Sequence, residues 1–304
     1  MNRLFVLIMS ITAIATSAQE YWGKKTAVIS WDNTGKRREI WKDISPSRNF
    51  HVLGGGDAVQ ITWFKAFYSV SGIFILVNSG GKINCPSVPE KGKDLWKKES
   101  VEVFIHPSGH QEYFHFMVSI YNEKWSEKGN MDKKFKTVPE TAWQAEVIRN
   151  KDCWEAIIFI PFGLFTAMPD GSWKINICRN SYSPKETLTW AELCASFHEP
   201  NNFGSFTFSS PFSKKEEIIL RKKLTAKIIA SPYVHNLETA INGWKEYAPL
   251  FYQSNSPLFH RVEKLISQDI LSDNELKEIE VAMIKLDNSR RTYLLNKVFA
   301  GWRN

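Results

Sequence analysis

Residues 99–121 read Glu-Ser-Val-Glu-Val-Phe-Ile-His-Pro-Ser-Gly-His-Gln-Glu-Tyr-Phe-His-Phe-Met-Val-Ser-Ile-Tyr. Two apolar-rich runs, Val101–His106 and Tyr113–Tyr121, flank the turn formers Pro107-Ser108-Gly109-His110. Within the first run Val101, Val103 and Ile105 face one way, and Glu102, Phe104 and His106 the other. In the second, Phe114, Phe116 and Val118 oppose Tyr113, His115 and Met117. A period of two in β-branched and aromatic residues, broken by a Pro/Gly turn, predicts an antiparallel hairpin.

The same pattern extends outward. Ala58–Tyr68 and Gly72–Asn78 form a strand pair across Ser69-Val70-Ser71; Trp143–Ile148 and Cys153–Ile160 form another across Arg149-Asn150-Lys151-Asp152. Trp173–Arg179 and Phe203–Phe208 close the series, and Thr26–Trp31 is a candidate first strand. Pro161–Ala167 reads as a short helical turn, and Asn122–Glu140 as a charged, turn-rich connection. Short strands at regular spacing without crossover helices predict a mainly β fold, an antiparallel β-sandwich of immunoglobulin-like or jelly-roll type.

At about Ser213 the period changes. Ser213-Lys214-Lys215-Glu216 and Ser272-Asp273-Asn274-Glu275 are both Ser-x-x-Glu capping boxes, each opening a stretch with helical spacing. Asn236–Tyr247 and Pro257–Ile270 read as two further helices separated by prolines. The expected organisation is therefore a leader over residues 1–18, a sandwich over 19–212 and a helical C-terminal region over 213–304. That region is either a helical cap on the sandwich or a docking element for a protein partner.

Arg3, the apolar run Leu4–Ala15 and the small residues Thr16-Ser17-Ala18 have the three-part layout of a secretory signal peptide. The run is shorter than the roughly 20 apolar residues of a membrane span, so the chain is expected to be secreted or periplasmic, without stable membrane insertion. Net charge is +7, a mild excess with lysines often beside acids. With no basic–aromatic recognition motif, nucleic acid is not an expected partner. The four cysteines, Cys85, Cys153, Cys178 and Cys194, match no zinc spacing. Export permits disulfides among them, in pairings that spacing does not resolve; free thiols are the alternative, with Cys153 and Cys178 on neighbouring strands as one geometry. The triple glycine Gly54-Gly55-Gly56 lacks the Lys-Ser/Thr of a phosphate loop and reads as a flexible loop.

The Glu99–Tyr121 hairpin resembles the central hairpin of carbohydrate-binding module family 9-like domains, whose β-sandwich is related to the DOMON domains. Cys153–Phe162, Trp173–Arg179, Trp190 and Phe197-His198-Glu199-Pro200-Asn201-Asn202-Phe203-Gly204 follow in the family's order, so the resemblance spans roughly residues 30–210. It implies an exported protein that binds carbohydrate, an oligo- or polysaccharide, without cleaving it, as an accessory to glycan breakdown. Two positions depart from the family pattern: Ser stands where an Asp usually occupies the early hairpin turn, and His106 stands where the family has Asp.

A sugar presents flat C–H faces and a rim of hydroxyls, so its site needs an aromatic plate with planar hydrogen-bonding groups around it. Trp96 and Trp190 are the candidate plates, each with a core role as the alternative. Glu99, Glu102 and Asn176 are candidate polar contacts; Glu102 matches the family's Val-Glu-Val, and Asn176 alternates away from Ile175 and Ile177. Arg179 shares parity with Trp173, Ile175 and Ile177, so either its strand bulges or its guanidinium is buried against an acid; the resemblance implies a ligand contact. His198 is either a contact or a brace for its loop. No catalytic residue is assigned, no cofactor is required, and calcium as a structural ion is left open. Two rival classes remain: a glycoside hydrolase-type enzyme, for which no carboxylate pair is marked, and a haem-binding DOMON-like redox domain with ligands such as His115, Met117 and Met131.

Overall fold

The hairpin at the centre of the sequence is also the centre of the larger sheet. In the computed structural model β5 (Ser100–His106) and β6 (Glu112–Ser119) pair with Val101 opposite Val118 and Ile105 opposite Phe114. The structure describes residues 19–229 and 248–293, apart from 28, 82–84, 86–91, 131–134, 166, 269, 273, 276–277, 280, 283, 287 and 291. The expected leader and the expected helix at Asn236–Tyr247 lie outside these residues.

Among the described residues, thirteen strands form one curled sheet that folds over into two layers sharing β1. The first layer runs β8 (Phe135–Thr137), β7 (Lys124–Asn130), β6, β5, β11 (Ser172–Ser181), β13 (Gly204–Phe208) and β1 (Glu20–Lys25). The second runs β1, β3 (Thr62–Ser69), β4 (Gly72–Gly80), β10 (Cys153–Pro161) and β9 (Gln144–Arg149). β12 (Glu186–Thr189) pairs with β11 and with the short β2 (His51–Val52). The fold is mainly β, a two-layered sandwich followed by helices. It is mixed rather than wholly antiparallel, because β1 runs parallel to both β13 and β3. The first strand is Glu20–Lys25, not Thr26–Trp31; its first four residues belong to one layer and its last two to the other.

The inward faces of both layers build the main core. Val101, Val103, Ile105, Phe116, Val118, Trp173, Ile175 and Ile177 from the first layer meet Phe64, Ile73, Ile75, Trp154, Ile158 and Ile160 from the second. Each fully buried side chain of this size stabilises the fold by about 1.5–3 kcal/mol, which is why the parity of these strands is legible. Strands β7, β8 and β12 were not expected. They carry polar or glycine residues on much of their surface and so lack the apolar alternation. The helix α1 (Thr34–Lys42) follows β1; Asn33 caps it, its side chain accepting from the Lys36 amide at 3.0 Å. The glycine loop is built on left-handed backbone, with φ of 87°, 105° and 106° at Gly54, Gly55 and Gly56. All four cysteines are free thiols, and Cys153 and Cys178 lie in opposite layers, on β10 and β11.

Both capping boxes form. The Ser213 and Ser272 amides each donate to the matching glutamate, Glu216 and Glu275, at 2.8 Å. The first opens α2 (Lys214–Ile229), and Leu220 and Leu224 join the main core. Helix α3 spans Pro249–Ile266 and runs through Pro257 instead of starting there. Its buried residues Phe251, Phe259, Val262 and Leu265 continue one stripe across the proline.

Candidate functional site

The outward face of the first layer is not a solvated surface. In β-strand register, Asn180 faces Ser100; Cys178 faces Glu102, which faces Met117, which faces Trp125; Asn176 faces Phe104, which faces His115, which faces Glu127. The loop between Trp190 and Phe203 folds over this face. Ala191, Leu193, Phe197 and Phe203 pack on Phe104, Tyr113 and Cys178 as a separate apolar cluster. The glycine loop braces it, the Gly54 amide donating to the Leu193 carbonyl at 3.0 Å.

Beneath this lid lies a connected polar group. Glu102 Oε2 is 2.6 Å from His115 Nε2, and Glu102 Oε1 accepts from Asn180 Nδ2 at 2.6 Å. On its other side His115 Nδ1 is 3.5 Å from Glu127 Oε1. Burial alone would raise the Glu102 carboxyl, yet the His115 ring and the Asn180 amide hold it below the usual carboxylate range. The reverse holds for His115: burial would lower it, and the two carboxylates hold it above the ordinary histidine value. His198 reaches in from the lid, its Nδ1 2.8 Å from the Tyr113 hydroxyl and its ring centroid 5.2 Å from that of Phe104. Through this contact His198 links the lid to β6.

Arg179 and Glu99 belong to the opposite, inward side. Arg179 Nε donates to Glu99 Oε1 at 2.8 Å, its Nη1 to Thr62 Oγ1 at 3.0 Å and the Gly80 carbonyl at 2.9 Å, and its Nη2 to Gln60 Oε1 at 2.6 Å. Glu99 also accepts from Trp154 Nε1 at 3.0 Å and the Tyr182 amide at 2.9 Å. Of the two outcomes left open for Arg179, burial against an acid is the one that occurs, and it ties the two layers together. Asn176 is fully buried too: its Oδ1 accepts from the Ala191 amide at 2.9 Å, and its Nδ2 donates to Thr189 Oγ1 at 3.0 Å. It anchors the start of the lid.

The two tryptophans separate. Trp190 is 2% exposed, packed edge-on to Phe64 at 5.2 Å between ring centroids, and touches solvent only as one wall of a cleft. Trp96 is 53% exposed. It lies on the 3₁₀ turn Gly92–Lys97 leading into β5, at the end of the sheet where Ser100 faces Asn180. Tyr182, 41% exposed, leaves β11 at that same end. Sequence reasoning missed Tyr182 and Asn180, because neither belongs to a motif; only the register of β5 with β11 brings Asn180 to Glu102 and Tyr182 to Glu99. The cleft that Trp190 walls, of about 820 Å³, is also lined by Trp22, Arg48, Asp43 and Glu192. Trp22 is 62% exposed.

No protein-family model and no curated protein matches the chain. Among solved structures, the chain is similar to a candidate carbohydrate-binding protein from Bacteroides uniformis, at 16% identity and a TM-score of 0.53. That match covers 63% of this chain and 100% of the other. A carbohydrate-binding module family 9 domain from Caldicellulosiruptor kristjanssonii, solved with glucose, aligns at 12% identity and a TM-score of 0.45, over 64% of this chain and 98% of that one. The first likeness establishes a shared fold, and the ligand is a matter for the chemistry of the site.

Proposed function

We propose that the protein binds carbohydrate without cleaving it, at the open end of the first layer, with Trp96 as the aromatic plate. The observation that carries this reading is the half-exposed indole of Trp96 at the end of a sheet whose next outward residues are Asn180 and Glu102. An exposed indole has no packing reason to be there, and stacks well on the C–H face of a pyranose. Tyr182 supplies a second ring at that end, while the buried Glu102–Asn180 pair stiffens the sheet beneath it. The Bacteroides uniformis fold and the family 9 resemblance of the hairpin agree with this reading. A binding rather than hydrolytic role is supported by the state of the acids: Glu102 is tied to His115 and Asn180, and Glu99 to Arg179, so neither serves as a proton donor to a glycosidic oxygen. A haem role is disfavoured, since His115 has both ring nitrogens facing carboxylates. The leader-like residues 1–18 support export, and export suits an accessory of glycan breakdown.

Calorimetric titration with glucose and cello-oligosaccharides tests the reading. Trp96→Ala is expected to weaken binding about thirtyfold, the effect of losing an anchor of about 2 kcal/mol, with an unchanged melting temperature. Undiminished binding in Trp96→Ala combined with loss in Trp22→Ala would move the site to the cleft between Trp22 and Trp190. Retention in both would defeat the aromatic-plate reading.

A further inference from the structure

We propose that His115, Glu127 and His198 form a binding site for a divalent transition metal of the zinc type, which pins the lid loop to the sheet. One ring nitrogen from each histidine and one Glu127 oxygen all lie within 4.8 Å of one another. His115 and Glu127 are direct cross-strand partners on β6 and β7, whereas His198 comes from the lid, 71 residues after Glu127 in the sequence. Two imidazoles and one carboxylate are the donor set that borderline-soft divalent ions prefer, and three protein ligands leave a fourth position for water.

The surroundings are those of a metal site as much as the ligands are. A metal-ligating histidine characteristically gives its other ring N–H to a carboxylate, which fixes the tautomer and aims the lone pair. His115 does this: Nε2 is held by the buried Glu102 at 2.6 Å, which leaves Nδ1 as the nitrogen turned to Glu127 at 3.5 Å. Glu102 is itself held by Asn180. His198 is oriented in the same manner by the Tyr113 hydroxyl at 2.8 Å from its Nδ1. Charge agrees. Two carboxylates, Glu102 and Glu127, converge on His115 in a place where His115 side-chain exposure is 4% and Glu127 exposure 13%. A dipositive ion with two neutral imidazoles balances them fully, while a single imidazolium leaves one negative charge over.

Zinc–nitrogen and zinc–oxygen bonds of about 2.0–2.2 Å need the donors somewhat closer than 4.8 Å. The lid-borne His198 and the partly exposed Glu127 are the two that can close, since His115 is held in the sheet. Binding would therefore draw the lid onto β6 and β7. No step of this depends on the sugar reading, and failure of glucose to bind would leave it standing.

The test uses the untagged mature chain, stripped with a chelator and titrated with zinc chloride against a chromophoric competitor. One saturable equivalent at micromolar affinity or tighter is expected, with a raised melting temperature. His198→Ala and Glu127→Gln should each weaken binding by more than about 100-fold, beyond the 10–100-fold that an outer-shell partner costs. Both residues are only partly buried, and melting in excess chelator confirms that each variant folds. Cobalt(II) should give a tetrahedral visible spectrum that His198→Ala abolishes. Absence of a saturable zinc equivalent overturns the assignment, as does parental affinity in either variant, or calcium binding in place of zinc.

Discussion

Replacing Arg179 separates a structural clamp from a ligand contact. Its side chain is 2% exposed and that of Glu99 7%, and its donors reach Glu99, Thr62, Gln60 and the Gly80 carbonyl across both layers. Arg179→Met removes the cation and leaves the carboxylate behind. Breaking a buried pair in this way costs about 3–5 kcal/mol. Glu99 keeps two neutral donors, Trp154 Nε1 and the Tyr182 amide, so the lower end, about 3 kcal/mol, applies. For a domain of this size that is a fall of about 6–12 °C in melting temperature, readable by differential scanning fluorimetry and by urea unfolding followed through tryptophan emission. Exchanging both partners, Glu99→Leu with Arg179→Met, should recover part of the loss, because no charge is then stranded. An Arg179→Met protein that melts with the parent yet loses sugar affinity would refute the clamp and restore Arg179 as a ligand contact.

Gly204→Ala should destabilise the sandwich by about 1–3 kcal/mol through overpacking, since the new methyl would lie 2.7 Å from a Trp190 ring carbon and 2.8 Å from the Gln19 carbonyl; a shift in the urea midpoint measures it. Tyr21, whose hydroxyl donates to the Ser45 carbonyl and accepts from the Ala66 amide, is pushed up to about 12 by burial, with the Ala66 amide pulling the other way. A folded value above the unfolded one means that its stabilisation is complete below pH 10.0 and is lost as pH rises from there toward about 12. That loss is roughly 2–3 kcal/mol, so Tyr21→Phe should be less stable at neutral pH but decline more gently between pH 10 and 12. A decline as steep as the parent's would sink the assignment.

The sequence by itself determined what depends on neighbours along the chain. Strand parity in Val101–Ile105, Phe114–Val118 and Trp173–Ile177 was readable because each strand buries one face, and a period of two follows from backbone geometry. The two Ser-x-x-Glu caps were readable because their hydrogen bonds close within four residues. Even the burial of Arg179 against an acid was one of two outcomes its parity allowed. The tertiary structure alone decided the rest. Strands β7, β8 and β12 exist because β6, β7 and β11 respectively offer them backbone to pair with, not because their own side chains alternate. The parallel pairing of β1 joins chain segments far apart in sequence. Above all, outward parity at Glu102 and Asn176 suggested accessible ligand contacts, and the Trp190–Phe203 lid buries both. Whether an outward side chain meets water depends on what folds over it, which no local period records. The same lid brings His198 to His115 and Glu127, so that cluster too exists only in three dimensions.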